Sequence, residues 1–260
     1  MKPVRLTQTS HEKVWGSPHL SPWYPDAPEG QKIGEVWLTH DPPLPLLFKF
    51  LFTTEKLSVQ VHPDDAKGRE WENSRGKTEM WRILRADPGA AIALGFKDEI
   101  SVERAAEAAR TGEIEHLLRW IEVKPGEMYY VPAGTVHAIG AGLALCEVQQ
   151  NSDVTYRLFD YGRPRALHLE KGFAVSELGP YLGGAVTGVQ CEYFGVEEFA
   201  LHGRLNYSGG RAGRALLVLN GEGRLNGELM RGGEGWWIPG GTRVELEAPA
   251  GMDVLEVRQP

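Results

Sequence analysis

The chain has 260 residues, with 28 Lys and Arg against 35 Asp and Glu, a formal net charge of −7. That length holds one large β domain or two smaller ones with ample core, and the absence of an extended basic tract argues against nucleic acid or an anionic membrane as partner. Two cysteines, Cys146 and Cys191, make no disulfide framework, so reduced thiols are expected.

Residues 1–31 read as irregular, with Pro18, Pro22, Pro25 and Pro28 interrupting them. The first ten residues contain no apolar run of the kind a secretion signal needs, and no later run is long enough to span a bilayer, so a soluble, cytoplasmic protein is expected. Strand patterns follow at Gly34–Thr39, Leu46–Phe52, Leu57–His62 and Glu79–Leu84. The convincing helical stretch runs from Val102 to Trp120. Ser101 caps it, Glu103 and Glu107 pair with Arg104 and Arg110, and Gly112 divides it in two. Strands resume after Ile121 up to about Tyr161. Residues 177–184, Glu-Leu-Gly-Pro-Tyr-Leu-Gly-Gly, read as a linker, and residues 190–260 as short strands punctuated by glycine.

The stretch Gly126-Glu-Met-Tyr-Tyr-Val-Pro132-Ala-Gly134-Thr-Val-His137 aligns without a gap on Gly233-Glu-Gly-Trp-Trp-Ile-Pro239-Gly-Gly241-Thr-Arg-Val244. In both, a strand runs into a Pro/Gly corner that starts the next strand. Val244 takes the place of His137. The repeat implies two related β-barrels, the first with a metal site and the second without one. The corresponding organisation is residues 1–179, carrying a helical insertion at about 101–120, and residues 180–260. The Trp236–Trp237 pair reads as packing of the second barrel rather than a sugar-stacking platform.

Side chains alternate along a strand, so Ser58, Gln60 and His62 share one face. One such strand normally turns its polar face to water. His137 and Glu79, also at strand ends, change that reading. A polar barrel interior is costly unless its groups bind something. Two imidazoles, a carboxylate and a carboxamide suit a divalent metal. A second alternation puts Asp153 and Arg157 on one face, with Glu147 and Gln149 on a shared face just before. Arg157 can clamp a phosphate or steady an oxyanion. Lys77, Arg163 and Arg165 offer further positive charge; a solvated loop is the other reading of Arg163 and Arg165. Parity puts Cys146 on the face opposite Glu147, as a buried structural thiol.

Four segments now combine: Leu57-Ser-Val-Gln-Val-His-Pro-Asp-Asp65, Gly76-Lys-Thr-Glu-Met-Trp81, Val131-Pro-Ala-Gly-Thr-Val-His-Ala138, and the run from Glu147 to Arg163 containing Gln-Gln-Asn-Ser-Asp-Val-Thr-Tyr-Arg. Together they closely resemble the type I mannose-6-phosphate isomerases of the cupin superfamily, in their short bacterial form. The resemblance implies a mainly β fold of two cupin (jelly-roll) barrels and one zinc ion. It places the metal ligands on Gln60, His62, Glu79 and His137, the active-site arginine on Arg157, and nearby acids on Asp153 and Glu147. Lys77 takes the place of the lysine before the metal-binding Glu. Two departures stand out. Longer members have a His where this chain has Gly76, and an aromatic residue where it has Ala138 and Ile139.

The implied reaction interconverts mannose 6-phosphate and fructose 6-phosphate through a cis-enediol. Glu147 or Asp153 is the candidate base, with a hydroxide on the metal as a third, and Lys77, with Arg163 or Arg165, holds the phosphate. A cupin acting on another sugar phosphate and a non-haem iron oxygenase are the alternatives, since two His and a carboxylate also suit iron. A small sugar phosphate is the expected partner, and the oligomeric state is open.

Overall fold

Alternation along the strands decides how this protein is layered. The structure is a computed structural model that describes residues 2–26 and 30–259, so Pro28 of the expected irregular segment lies outside the described residues. Strand Leu46–Phe52 (Leu-Leu-Phe-Lys-Phe-Leu-Phe) is buried at all seven positions. A strand apolar on both faces needs cover on both sides. Its Phe48, Phe50 and Phe52 pack with Met80, Cys146 and Val148 of neighbouring strands against Leu217, Leu219, Leu255 and Val257. On the opposite face Leu51, Trp81, Ile83 and Leu145 pack against Leu57, Ile92, Leu94 and Ile139. Each such buried side chain contributes roughly 1.5–3 kcal/mol of hydrophobic stabilisation.

The middle layer is a six-stranded sheet in the order Thr7–Ser17, Ile33–Thr39, Leu46–Phe52, Leu143–Gln150, Glu79–Ala86, Met128–Val131. One face meets a five-stranded sheet in the order Tyr156–Phe159, Val59–Val61, His137–Ile139, Ala91–Phe96, Leu118–Glu122. The other meets a seven-stranded sheet built largely from residues 188–258, which also takes in Val4–Arg5 as a partner of Trp236 and Trp237. The fold is mainly β, as expected. The three sheets are open, each running from one edge strand to another, so the expected pair of barrels does not close by hydrogen bonding among the described residues.

Four helices occur among the described residues, α1 Asp65–Glu72, α2 Val102–Thr111, α3 Ile114–Leu117 and α4 Leu169–Val175. Ser101 caps α2 through its side chain, and Gly112 ends it at φ 86°, as the sequence predicts. The helical stretch stops at Leu117 rather than Trp120, because Leu118–Glu122 joins the five-stranded sheet. Ala105, Ala108 and Ala109 of α2 and Phe173 of α4 cover the outer face of that sheet at Val59, Val61, Ala93 and Leu158. None of these helices is long and apolar enough to cross a membrane.

Two further expectations change. The N-terminal segment is not irregular: Thr7–Ser17 forms an eleven-residue strand. The C-terminal region combines short strands at Gly188–Gln190, Glu228–Arg231 and Gly235–Ile238 with long ones of 14 residues at Gly195–Ser208, 12 at Arg214–Leu225 and 16 at Arg243–Arg258. The repeated corner does recur in three dimensions. The Thr135 amide donates to Pro132 O and the Thr242 amide to Pro239 O, each at 3.1 Å. Gly134 and Gly241 both have positive φ, at 86° and 73°. Val244 is buried with Leu246, Trp236 and Ile238 in an apolar cluster.

Candidate metal centre and active-site cleft

The five-stranded sheet brings Gln60 directly opposite His137, with Arg157 opposite Gln60 on the other side. His62 follows Gln60 on the same face. Glu79 enters from the facing six-stranded sheet, where it stands opposite Gln149 and Val131. Ligand atoms of His62, Glu79 and His137 lie within 4.8 Å of one another, and all three residues are buried.

The imidazoles are oriented by the backbone. His62 Nδ1 lies 2.8 Å from Val154 O and His137 Nδ1 lies 2.8 Å from Thr135 O. A carbonyl accepts only, so each Nδ1 carries the proton and each Nε2 presents a lone pair. Those Nε2 atoms face Glu79 at 3.7 and 3.5 Å. Burial pushes His137 down to about 4, and burial together with Lys77 holds His62 well below the usual histidine range. Both rings are therefore neutral at physiological pH. Lys77 Nζ donates to the buried Oε2 of Glu79 at 2.8 Å, while the buried Oε1 has no hydrogen-bond partner. Gln60 completes the cluster: its Nε2 lies 3.2 Å from His137 Nε2, while its Oε1 accepts from Ser58 Oγ at 3.1 Å. A half-turn of that amide puts the oxygen toward the imidazoles. Two neutral imidazoles, a buried carboxylate with Oε1 unpartnered and an amide form a donor set that fits a divalent cation.

Above this cluster lies a cleft of about 220 Å³, whose lining includes Gln60, Lys77, Glu147, Asp153, Arg157 and Arg165. Glu147 is buried, with Trp81 Nε1 donating to its Oε2 at 3.0 Å and Lys49 Nζ 3.4 Å from its Oε1. Burial, reinforced by Glu79, raises its carboxyl against the pull of Lys77 and Lys49. Asp153 is exposed at the cleft, and the described ion pairs do not join it to Arg157. Arg157 spends Nη1 on Ala166 O at 3.0 Å and leaves its buried Nε without a partner.

The three cations expected at a phosphate are placed differently. Lys77 sits on the floor, 3.0 Å from His62 Nε2, and is buried. Arg165 lines the cleft while forking onto Asp160 at 2.5 and 2.6 Å. Arg163 turns away, donating to Lys56 O at 2.6 Å and lining a separate recess with Glu55, Lys56 and Tyr161. The cleft also contains Lys13, Trp15, Glu35 and Lys49, which sequence reasoning did not single out. Lys49 had a legible signal, as the lone charge inside an apolar strand that is covered on both sides. Cys146 is buried among Phe50, Met80 and Val148, on the face opposite Glu147.

The catalytic-domain model of type I phosphomannose isomerase matches residues 24–82. A mannose-6-phosphate isomerase of Streptococcus mutans is 35% identical over 218 residues, spanning 68% of this chain and 69% of that protein. The ManA isomerase of Bacillus subtilis is 37% identical over 231 residues, spanning 78% and 73%. The crystal structure of mannose 6-phosphate isomerase from Bacillus subtilis superposes with a TM-score of 0.88 at 27% identity, covering 99% of this chain and all (100%) of that one. The motif segments, the ligand cluster and these likenesses agree: the chain belongs to the type I mannose-6-phosphate isomerase family.

Proposed function

We propose that the protein interconverts mannose 6-phosphate and fructose 6-phosphate in the cytoplasm, using one divalent ion, zinc by preference, held by Gln60, His62, Glu79 and His137. The observation that carries this reading is the convergence of His62, Glu79 and His137 within 4.8 Å at the base of a cleft that also holds Glu147, Asp153 and Arg157. When bound, zinc supplies Lewis acidity to sugar oxygens.

The chain's own side chains do the rest. Once the ring is open, Glu147 takes the proton from C2 and returns it to C1, while the hydroxyl proton passes from O2 to O1 by way of a cis-enediol. Its buried carboxyl is oriented by Trp81 and Lys49, which favours it over the exposed Asp153. Arg157, with Nε unspent, faces the negative charge that develops on oxygen. Arg165 adds positive potential for the phosphate, Lys77 stays with His62 and Glu79 on the buried floor, and binding the remote phosphate orients the reacting carbons. Arg163, directed elsewhere, has at most an indirect part. Residues 1–179 carry this chemistry. Residues 180–260 act as a scaffold, since the buried Val244 offers no ligand where the first segment has His137.

An isomerase assay on purified protein, before and after chelation and again with zinc restored, tests the proposal. Activity that disappears and returns supports it. A fully zinc-loaded protein inactive on mannose 6-phosphate overturns it.

A further inference from the structure

We propose that Lys13 is a substrate-binding residue that holds the phosphate at the cleft rim. This rests on the isomerase reading above. Five cations line the cleft: Lys13, Lys49, Lys77, Arg157 and Arg165. Lys49 and Lys77 are 3% and 5% exposed and each faces a carboxylate, Glu147 and Glu79. Arg165 commits its fork to Asp160. Arg157 stands opposite Gln60, beside the ligand cluster, and serves the reacting end, which leaves Lys13 with donors for the phosphate. Lys13 is 32% exposed, with Glu35 Oε2 at 3.2 Å taking one of its three ammonium hydrogens. Glu35 does not depend on it alone, because Trp37 Nε1 donates to the same oxygen at 2.8 Å.

The backbone aims Lys13 into the cleft. Pairing with Ile33–Thr39 runs regularly from Thr7 to His11 and then breaks, with both Glu12 and Ser17 opposite Ile33. Residues 13–16 bulge from the ladder, and Lys13 and Trp15 both line the cleft. Bulges re-aim side chains in this way. The stem of Lys13 is seated against Gly34, where an added Cβ would come within 2.5 Å of its Cγ and 2.6 Å of its Cβ. Lys13 is also placed to suit the substrate. With the carbonyl end of a hexose 6-phosphate at the buried ligand cluster, the phosphate lies at the far end of the carbon chain, toward the rim. The buried floor cations and Arg157, which stands opposite Gln60, are close to the reacting end, whereas Lys13 comes from the edge strand of the six-stranded sheet.

The test uses Lys13→Met, which keeps the stem and removes the charge, and Lys13→Arg, which restores it. A charge-assisted hydrogen bond contributes about 1.5–3 kcal/mol, roughly a 10- to 100-fold change. For Lys13→Met we expect KM for mannose 6-phosphate to rise by about that factor with kcat within about twofold. Competitive inhibition by inorganic phosphate should weaken in parallel, and Lys13→Arg should recover most of both. An unchanged phosphate inhibition constant in Lys13→Met overturns the proposal, whatever happens to turnover. If the wild type proves inactive as an isomerase, the reading of function fails. Calorimetric binding of inorganic phosphate to wild type and Lys13→Met then decides the role of Lys13 separately: weaker binding in the variant supports it and equal binding refutes it.

Discussion

Lys49 and Glu147 stand directly opposite each other on neighbouring strands, Nζ to Oε1 at 3.4 Å, with side chains only 3% and 4% exposed. Removing one partner of a buried ion pair leaves the other charge without compensation, at about 3–5 kcal/mol. Lys49→Met should therefore lose stability on that scale in urea unfolding. The double variant Lys49→Met/Glu147→Gln should recover a large part of it. If the two losses simply add, the pair is not coupled.

Glu147→Gln keeps an oxygen for the Trp81 indole and removes the acid. Isomerase kcat should fall on the order of 10²–10⁴-fold, with bound metal unchanged by elemental analysis. A rate near that of wild type would move proton transfer to another group, Asp153 being the first to examine.

His137→Ala removes one imidazole from the ligand cluster. Purified wild type should carry about one divalent ion per chain, and a hundredfold excess of metal over Kd should stabilise it by about 2.7 kcal/mol. The variant should lose both the ion and the rise in melting temperature on adding zinc. Wild-type metal content in the variant would remove His137 from the ligand set.

Glu35 gives a pH dependence whose sign follows from its neighbours. Burial opposes its charge, but Lys49 and Lys13 outweigh burial and hold the carboxyl below its usual value. A depressed folded-state value means stability that is present above the unfolded value of about 4.3 and lost as pH falls through the lower folded value. The stability difference between wild type and Glu35→Gln should thus be largest near neutrality and shrink in acid. A difference independent of pH would show that the Glu35 charge does not contribute.

Gly76 occupies a position where longer relatives are expected to have a His. Here a Cβ would lie 2.4 Å from the Asp64 carbonyl carbon and 2.5 Å from the Asp65 nitrogen, and the Gly76 amide donates to Asp65 Oδ1 at 2.8 Å. Backbone cannot yield as a side-chain tip can. Gly76→Ala should cost about 1–3 kcal/mol, read as a lower urea midpoint. An unchanged midpoint would mean that the start of α1 shifts freely.

Much of the site was legible because its donors lie in short segments with strict alternation. Gln60 and His62 share a face by parity, the Pro132/Gly134 corner delivers His137, and the same parity separates Cys146 from Glu147. Helix α2 was legible through Ser101 and Gly112, whose effects are local. Helix α1 was missed although Asp64 caps it, accepting from the Lys67 amide at 2.8 Å. Thr7–Ser17 was missed because its exposed residues and the prolines that follow resemble a loop; its strand state comes from pairing with Ile33–Thr39.

From the residue order alone came the β character, the grouping of His62, Glu79 and His137, the repeat of the Pro/Gly corner and the family resemblance, since each depends on period, turn chemistry or composition within a few residues. Only the folded chain decided that Lys49 meets Glu147, that Lys13 reaches the cleft and that Arg163 leaves it. Those outcomes depend on which strands become neighbours and in what register. Alternation tells which face a side chain takes but not what stands opposite, and that choice is made by burying the most apolar surface across three sheets at once.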